Sequence, residues 1–197
     1  LVESGSITKM LDGNRGITID GIQHPRAIYT LWTEAERNAI GIYEVTIDTS
    51  KKKDEQWYIN TNITYAFSGG KVTGSYGDAT AKAHADTLYT AQDETDGLGT
   101  EGDVKAEGLK TILIRQVKNE AKGELNRTDW YVVRKSEEDT AIPSAITTHR
   151  KSVRSKQAEM ETAITNASDT PALETLYTYT EQEDGTSARP LGEIPNL

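Results

Sequence analysis

The chain contains no cysteine. Disulfide scaffolds, thiol catalysis and cysteine-based zinc sites are therefore excluded. Aromatic residues are sparse, at 7 % with a single Phe, and apolar residues make up 35 % of the 197 positions. That is below the usual share for a compact domain and favours several thin cores over one thick core. Long hydrophobic runs are also missing, and nothing approaches the length needed to span a bilayer. The start, LVESGSITKML, has neither a basic n-region nor a long apolar stretch, so no signal peptide is expected. It also lacks an initiator Met, which suggests a truncated, processed or wrongly assigned start. Basic residues are outnumbered, 22 against 31 acidic ones, for a net charge of −9. Nucleic acid is a poor partner for such a chain, because phosphate binding needs a basic face.

Groups that carry chemistry are equally scarce. The three histidines, His24, His84 and His149, stand far apart in sequence, so a zinc or catalytic role would need them to meet in space. Gly97-Leu98-Gly99-Thr100 lacks the preceding strand and the spacing of a dinucleotide loop, and no P-loop signature occurs. Glu137-Glu138-Asp139 is the densest carboxylate group, but it falls in a predicted polar turn, where like charges are ordinarily solvated. A glycosidase needs two carboxyls about 5 to 10 Å apart in a cleft, which spacing alone does not show. No catalytic, metal-binding or cofactor-binding residue is nominated, and the reading is non-enzymatic.

What is present is punctuation and periodicity. Asp20-Gly21 is a hairpin signal between two short strands within Ile17–His24, and Ala27–Trp32 reads as extended. Thr33 and Glu36 form a capping box for a short helix ending at Gly41, and Tyr43–Asp48 alternates like a strand with one buried face. Ser68-Gly69-Gly70 turns between two further strands. From Asp103 the period changes. Leu109, Leu113, Val117, Ala121 and Leu125 mark one amphipathic helix, and Ile146, Val153, Met160 and Ala167 a second with a narrow stripe. Over half of the lysines and arginines lie in 105–156, whereas 86–107 and the segment after 157 are acidic. The expected fold class is α+β: a small antiparallel β unit with a short helix, then a two-helix hairpin and an extended C-terminal arm. The corresponding boundaries are 1–77 for the β-rich domain, 78–102 for a linker or irregular loop, 103–167 for the helical hairpin and 168–197 for the acidic arm.

The richest stretch is RTDWYVVRKSEEDTAIPSAITTHRKSVRS, Arg127 to Ser155. Trp130 reads in two ways: an anchor closing the space between two helices, or a hot spot on a partner surface, where Trp and Arg dominate binding energy. Asp129 can accept from backbone amides or pair with Arg134 or Arg150. Pro143 suits a first helical turn. Arg150 and Arg154 lie one turn apart on one face and suit a clamp of loop to helix. With Arg127, these are the candidate interaction residues.

The segment from about Leu109 to Ile164 resembles the phage tail assembly chaperone, or tail-fibre assembly, family. The likeness runs through Arg115, Leu125, Thr128, Asp129, Trp130, Arg134, Lys135, Ile142, Pro143, Arg150, Val153 and Arg154, a little over a quarter of the chain. More weakly, Asp20–Pro25, Leu31–Gly41 and Ile42–Val45 resemble the leader domain of related small tail proteins. The resemblance implies a structural or fibre-attached component of a phage tail or baseplate, located in the virion tail and, during assembly, in the host cytoplasm. Its partners would be other tail, baseplate or fibre subunits, with neither nucleic acid nor membrane involved. A transient assembly chaperone absent from the mature virion is the main alternative, and a tail-associated glycan hydrolase a minor one. The narrow heptad stripe leaves both a homo-oligomer and a monomeric hairpin open.

Overall fold

The computed structural model describes residues 1–197 and divides into two units, Leu1–Thr80 and Ala81–Leu197. Its strands form six separate small sheets, and seven helices accompany them. The expected fold class of one antiparallel β unit, a two-helix hairpin and an extended arm is therefore wrong. The reason is compositional: with so few large apolar residues, no single sheet or hairpin gathers the core, and short elements close small cores locally.

In the first unit, β1 (Val2–Glu3) and β2 (Ser6–Ile7) form a minimal hairpin. β3 (Ile17–Ile19) and β4 (Ile22–His24) flank Asp20 and Gly21, whose φ values of 49° and 77° are the left-handed pair that a two-residue turn demands. Ala27–Trp32, expected to be extended, instead holds the helix α1 (Ile28–Leu31), which buries Ile28. α2 (Glu34–Ala39) carries the expected capping box: Thr33 accepts from the Glu36 amide while Glu36 accepts from the Thr33 amide. Ile17, Ile19, Ile28 and Ile42 form the core of this region, with Leu11, Tyr29, Trp32 and Ile40 packed around it.

β5 (Val45–Asp48), β7 (Thr64–Ser68) and β8 (Lys71–Ser75) form the one three-stranded sheet, in the order β5-β8-β7, and the short β6 (Tyr58–Ile59) precedes β7. The sheet is mixed, which corrects the antiparallel expectation: β7 and β8 pair antiparallel, but β5 runs parallel to β8 with Val45 opposite Val72. A parallel partner needs a long crossover, and residues 49–70 supply it. β5 alternates as its sequence suggests, yet Ile47 remains exposed, so the expected buried face is absent. Gly74 sits in the middle strand where a Cβ would lie 2.8 Å from both Ile47 Cδ1 and Tyr65 Cε1.

In the second unit, residues expected as linker carry structure. β9 (Thr80–Ala81) lies at the division between units; β10 (Thr87–Leu88) pairs with β11 (Val104–Ala106), and α3 (Ala91–Thr95) lies between them. α4 (Leu109–Asn126) and α6 (Ser144–Asn166) are the two expected long helices. They run antiparallel: His149 near the start of α6 meets Glu124 near the end of α4, and Lys110 at the start of α4 donates to the Thr165 carbonyl at 2.8 Å. Leu113, Val117 and Ala121 face Ile146, Val153, Met160 and Ile164, all buried. Each large side chain so buried contributes about 1.5–3 kcal/mol.

Between the two helices of the expected hairpin a third helix forms, α5 (Asp129–Glu138), so the module is not a two-helix hairpin. The arm after Ser168 is also folded. α7 (Thr170–Tyr177) starts at an Asp169 cap, with Pro171 in its first turn, and buries Leu173. β12 (Thr180–Glu181) and β13 (Ser187–Ala188) form a hairpin, and Leu191 is buried with its amide on the Leu176 carbonyl at 3.0 Å. Leu173 and Leu191 are the apolar residues that an overall acidic composition hides. No helix is long and apolar enough to cross a membrane.

Candidate functional site

The α4–α5 junction gathers most of the candidate residues, and Arg150 organises it. On α6, Arg150 occupies the apolar stripe four residues after Ile146 and three before Val153, and it is buried. A guanidinium there must find acceptors, since an unpaired buried charge costs several kcal/mol. Its Nη1 donates to the Leu125 carbonyl at 2.8 Å and to Thr128 Oγ1 at 2.7 Å, and pairs with Asp129 Oδ1 at 2.8 Å. All three lie where α4 ends and α5 begins. Of the two arginines offered to Asp129 by the sequence, the structure selects Arg150.

Thr128 makes the break between the helices. Its hydroxyl donates back to the Leu125 carbonyl while accepting from Arg150, so it does not cap α5, and its backbone leaves the helical region at φ −120°, ψ 6°. The residue is fully buried. Beside it, Glu124 is a second charged residue on an otherwise apolar stripe. Its carboxylate receives Arg127 Nη1 at 2.8 Å, His149 Nε2 at 2.9 Å and the Leu197 amide at 3.0 Å. The Arg127 hydrogen bond is the leading reason its pKa lies below the usual carboxylate range. Three donors on one carboxylate leave it occupied as an acceptor, and the arrangement serves as a latch rather than as a base awaiting a proton. Glu124 goes unmentioned in the sequence expectations, and His149 is weighed there only for metal or catalytic chemistry. The signal for Glu124 was there: a carboxylate three residues after Ala121 and seven after Val117, in register with the buried stripe.

Trp130 does not close the space between helices. It is 51 % exposed on α5, a helix with no buried residue at all. Its ring stacks on Tyr131, with centroids 3.9 Å apart, and the Arg134 guanidinium lies 4.6 Å from the Trp130 centroid and 5.5 Å from that of Tyr131. Val132 and Val133 are exposed alongside it. α5 ends where Asp139 turns left-handed at φ 52°, and Lys135 pairs with Asp139 across that end. Pro143 stands one residue before the first turn of α6, and its carbonyl accepts from the Thr147 amide at 3.1 Å. Arg154 stays apart from the junction network, with its Nη1 3.5 Å from the Arg150 carbonyl, and it borders an open groove with Gln157, Ala158 and Glu161.

Arg150 and Thr128 fix the angle between α4 and α5, and α5 carries aromatic, aliphatic and cationic side chains into solvent. Such composition is typical of contact surfaces, where exposed Trp, Tyr and Arg are enriched. In the first unit, a cleft of about 490 Å³ is bordered by Leu11, Tyr29, Arg37 and Ile42; Arg37 there is committed to the Trp32 carbonyl at 2.7 Å. Comparison with known proteins returns nothing to set beside these features: no family model matches the chain, and no curated protein or solved structure matches it.

Proposed function

We propose that the chain is a non-enzymatic phage tail protein, a structural or fibre-attached component that acts through contacts with other tail, baseplate or fibre subunits. The observation that supports this best is α5: an exposed helix with Trp130, Val133 and Arg134 on its surface, held at a fixed angle by the buried Arg150 clamp. Its position supports the reading further, because α5 falls inside the segment whose residues resemble tail assembly proteins. Exposed Trp130, Val132 and Val133 on a helix that buries none of its own residues fit a partner surface.

The test is quantitative mass spectrometry on purified virions of the phage that encodes the chain. A fixed copy number, in multiples of three or six, is the expected result for a tail component. Abundance in infected lysate with absence from virions would replace this reading with that of a transient assembly chaperone. Absence from both would overturn the tail assignment.

A further inference from the structure

We infer that α5 is a self-association surface on which a second copy of this chain docks antiparallel. The inference deepens the reading of α5 as a contact surface by naming its occupant. Trp130, Val133, Arg134 and Glu137 follow the i, i+3, i+4, i+7 spacing that places four residues on one face of a helix. Trp130 and Val133 are 51 % and 53 % exposed, and the helix buries none of its own residues. The apolar half of this face is uncovered within the chain.

Its charges lack ion-pair partners too. Arg134 enters no ion pair within the chain, and its Nε is enclosed without a hydrogen-bond partner. The guanidinium carbon lies 4.6 Å from the Trp130 ring centroid and 5.5 Å from that of Tyr131, so the two rings hold the cation beside the exposed aromatic surface. Glu137 and Glu138 likewise take part in none of the ion pairs around the α4–α5 junction, which are Arg127–Glu124, His149–Glu124, Lys135–Asp139 and Arg150–Asp129. They sit in the last turn of α5, where a negative charge opposes the helix dipole and gains from an external cation.

Cation and anion on the same face, less than one turn apart, make that face complementary to itself when reversed. In an antiparallel pair related by a two-fold axis, Arg134 of each copy comes opposite Glu137 of the other, and both ion pairs form at once. The exposed Val133 and Trp130 side chains then flank the two pairs and shield them from water. This is the isologous geometry that most homodimers use, in which one patch serves both partners. A parallel arrangement would set Arg134 against Arg134 and is disfavoured by like charge.

Sedimentation analysis of the full chain tests this. The wild type is expected to form a dimer. Arg134→Glu and Glu137→Arg are each expected to weaken it more than about tenfold, and the double variant to restore it, because the swapped charges again face each other. Val133→Lys supplies an independent disruption at a half-exposed position, should Arg134→Glu disturb the local stack. Circular dichroism is expected to match the wild type throughout, since α5 carries no core. A wild type that stays monomeric up to its solubility limit overturns the inference. So does a dimer that survives all three single variants, which would place the interface elsewhere. Neither failure touches the virion copy number, so this inference and the tail assignment fail separately.

Discussion

Arg150 shows how one residue converts an apolar stripe into a joint. It cannot be left unpaired at its depth, and the acceptors nearest to it belong to the end of α4 and the start of α5. The joint angle is therefore a consequence of satisfying a buried cation. Arg150→Met keeps the volume of the side chain but removes the charged donor shared by the Leu125 carbonyl and the Thr128 hydroxyl, which keep only their bond to each other, and is expected to cost about 1.5–3 kcal/mol in urea unfolding. Asp129 is half exposed and adds little to that figure. Arg150→Lys should recover only part, since an ammonium lacks the planar fork. Gly74 is the matching case in the first unit. Any side chain there enters space held by Ile47, Tyr65 and Ile63, and Gly74→Val is expected to lower the unfolding midpoint by the equivalent of about 1–3 kcal/mol through overpacking. Gly108 is constrained by backbone instead: a Cβ would lie 2.3 Å from the Ala85 carbonyl, and its amide is held by Asp86 Oδ1 at 2.6 Å, which also accepts from Thr111.

At the level of elements, the contrast lies between α5 and the α4–α6 pair. Met160 is 1 % exposed between the two long helices, and Met160→Ala is expected to cost about 2–5 kcal/mol, the range for a cavity in a packed core. Trp130→Ala removes a much larger side chain, yet it is expected to cost no more than about 1 kcal/mol, the value of an exposed cation–π stack. Equilibrium denaturation of the two variants decides between them. If Trp130→Ala proves as costly as Met160→Ala, α5 is part of the core after all and the display reading fails. The break at Thr128 belongs to this scale as well. Asn126, Thr128 and Asp129 are weak helix formers, and the two hydrogen bonds on the Thr128 hydroxyl fix the break among them.

For the molecule as a whole, the acidic composition has a consequence for stability. Several carboxylates have pKa values held below their ordinary range by hydrogen bonds: Glu124 chiefly by Arg127, Asp86 by the Gly108 amide, and Asp93 down to about 2 by Lys105 and the Thr90 cap. Glu36 and Asp48 show the same direction in the first unit, through the Thr33 and Ser50 amides. In each case the folded state holds the proton less tightly than the unfolded chain does. Their contribution is complete above the unfolded carboxylate range and is lost as pH falls through the depressed values. Urea unfolding across pH is therefore expected to show a steady loss of stability from about pH 5 downward, with Glu124→Gln flattening part of that slope. A stability that rises on acidification would contradict these assignments.

Local devices were legible in the sequence. The Asp20-Gly21 turn, the Thr33–Glu36 box and the stripes of α4 and α6 rest on interactions among residues close in the chain, and a one-dimensional pattern carries them fully. The parallel pairing of β5 with β8, the α1 turn at Ile28, the folding of the segment after Ser168 and the placement of Trp130 were not legible. Each depends on a contact beyond its own segment: Val45 on Val72, Ile28 on the core it shares with Ile17 and Ile42, Leu191 on Leu176, Arg150 on Thr128. Trp130 illustrates the limit best. Its size favours burial, and the sequence by itself determined only that a large aromatic follows the first long helix. Tertiary structure decided its exposure, because Arg150 and Thr128 set the joint angle and swing α5 away from the core that a Trp would otherwise enter.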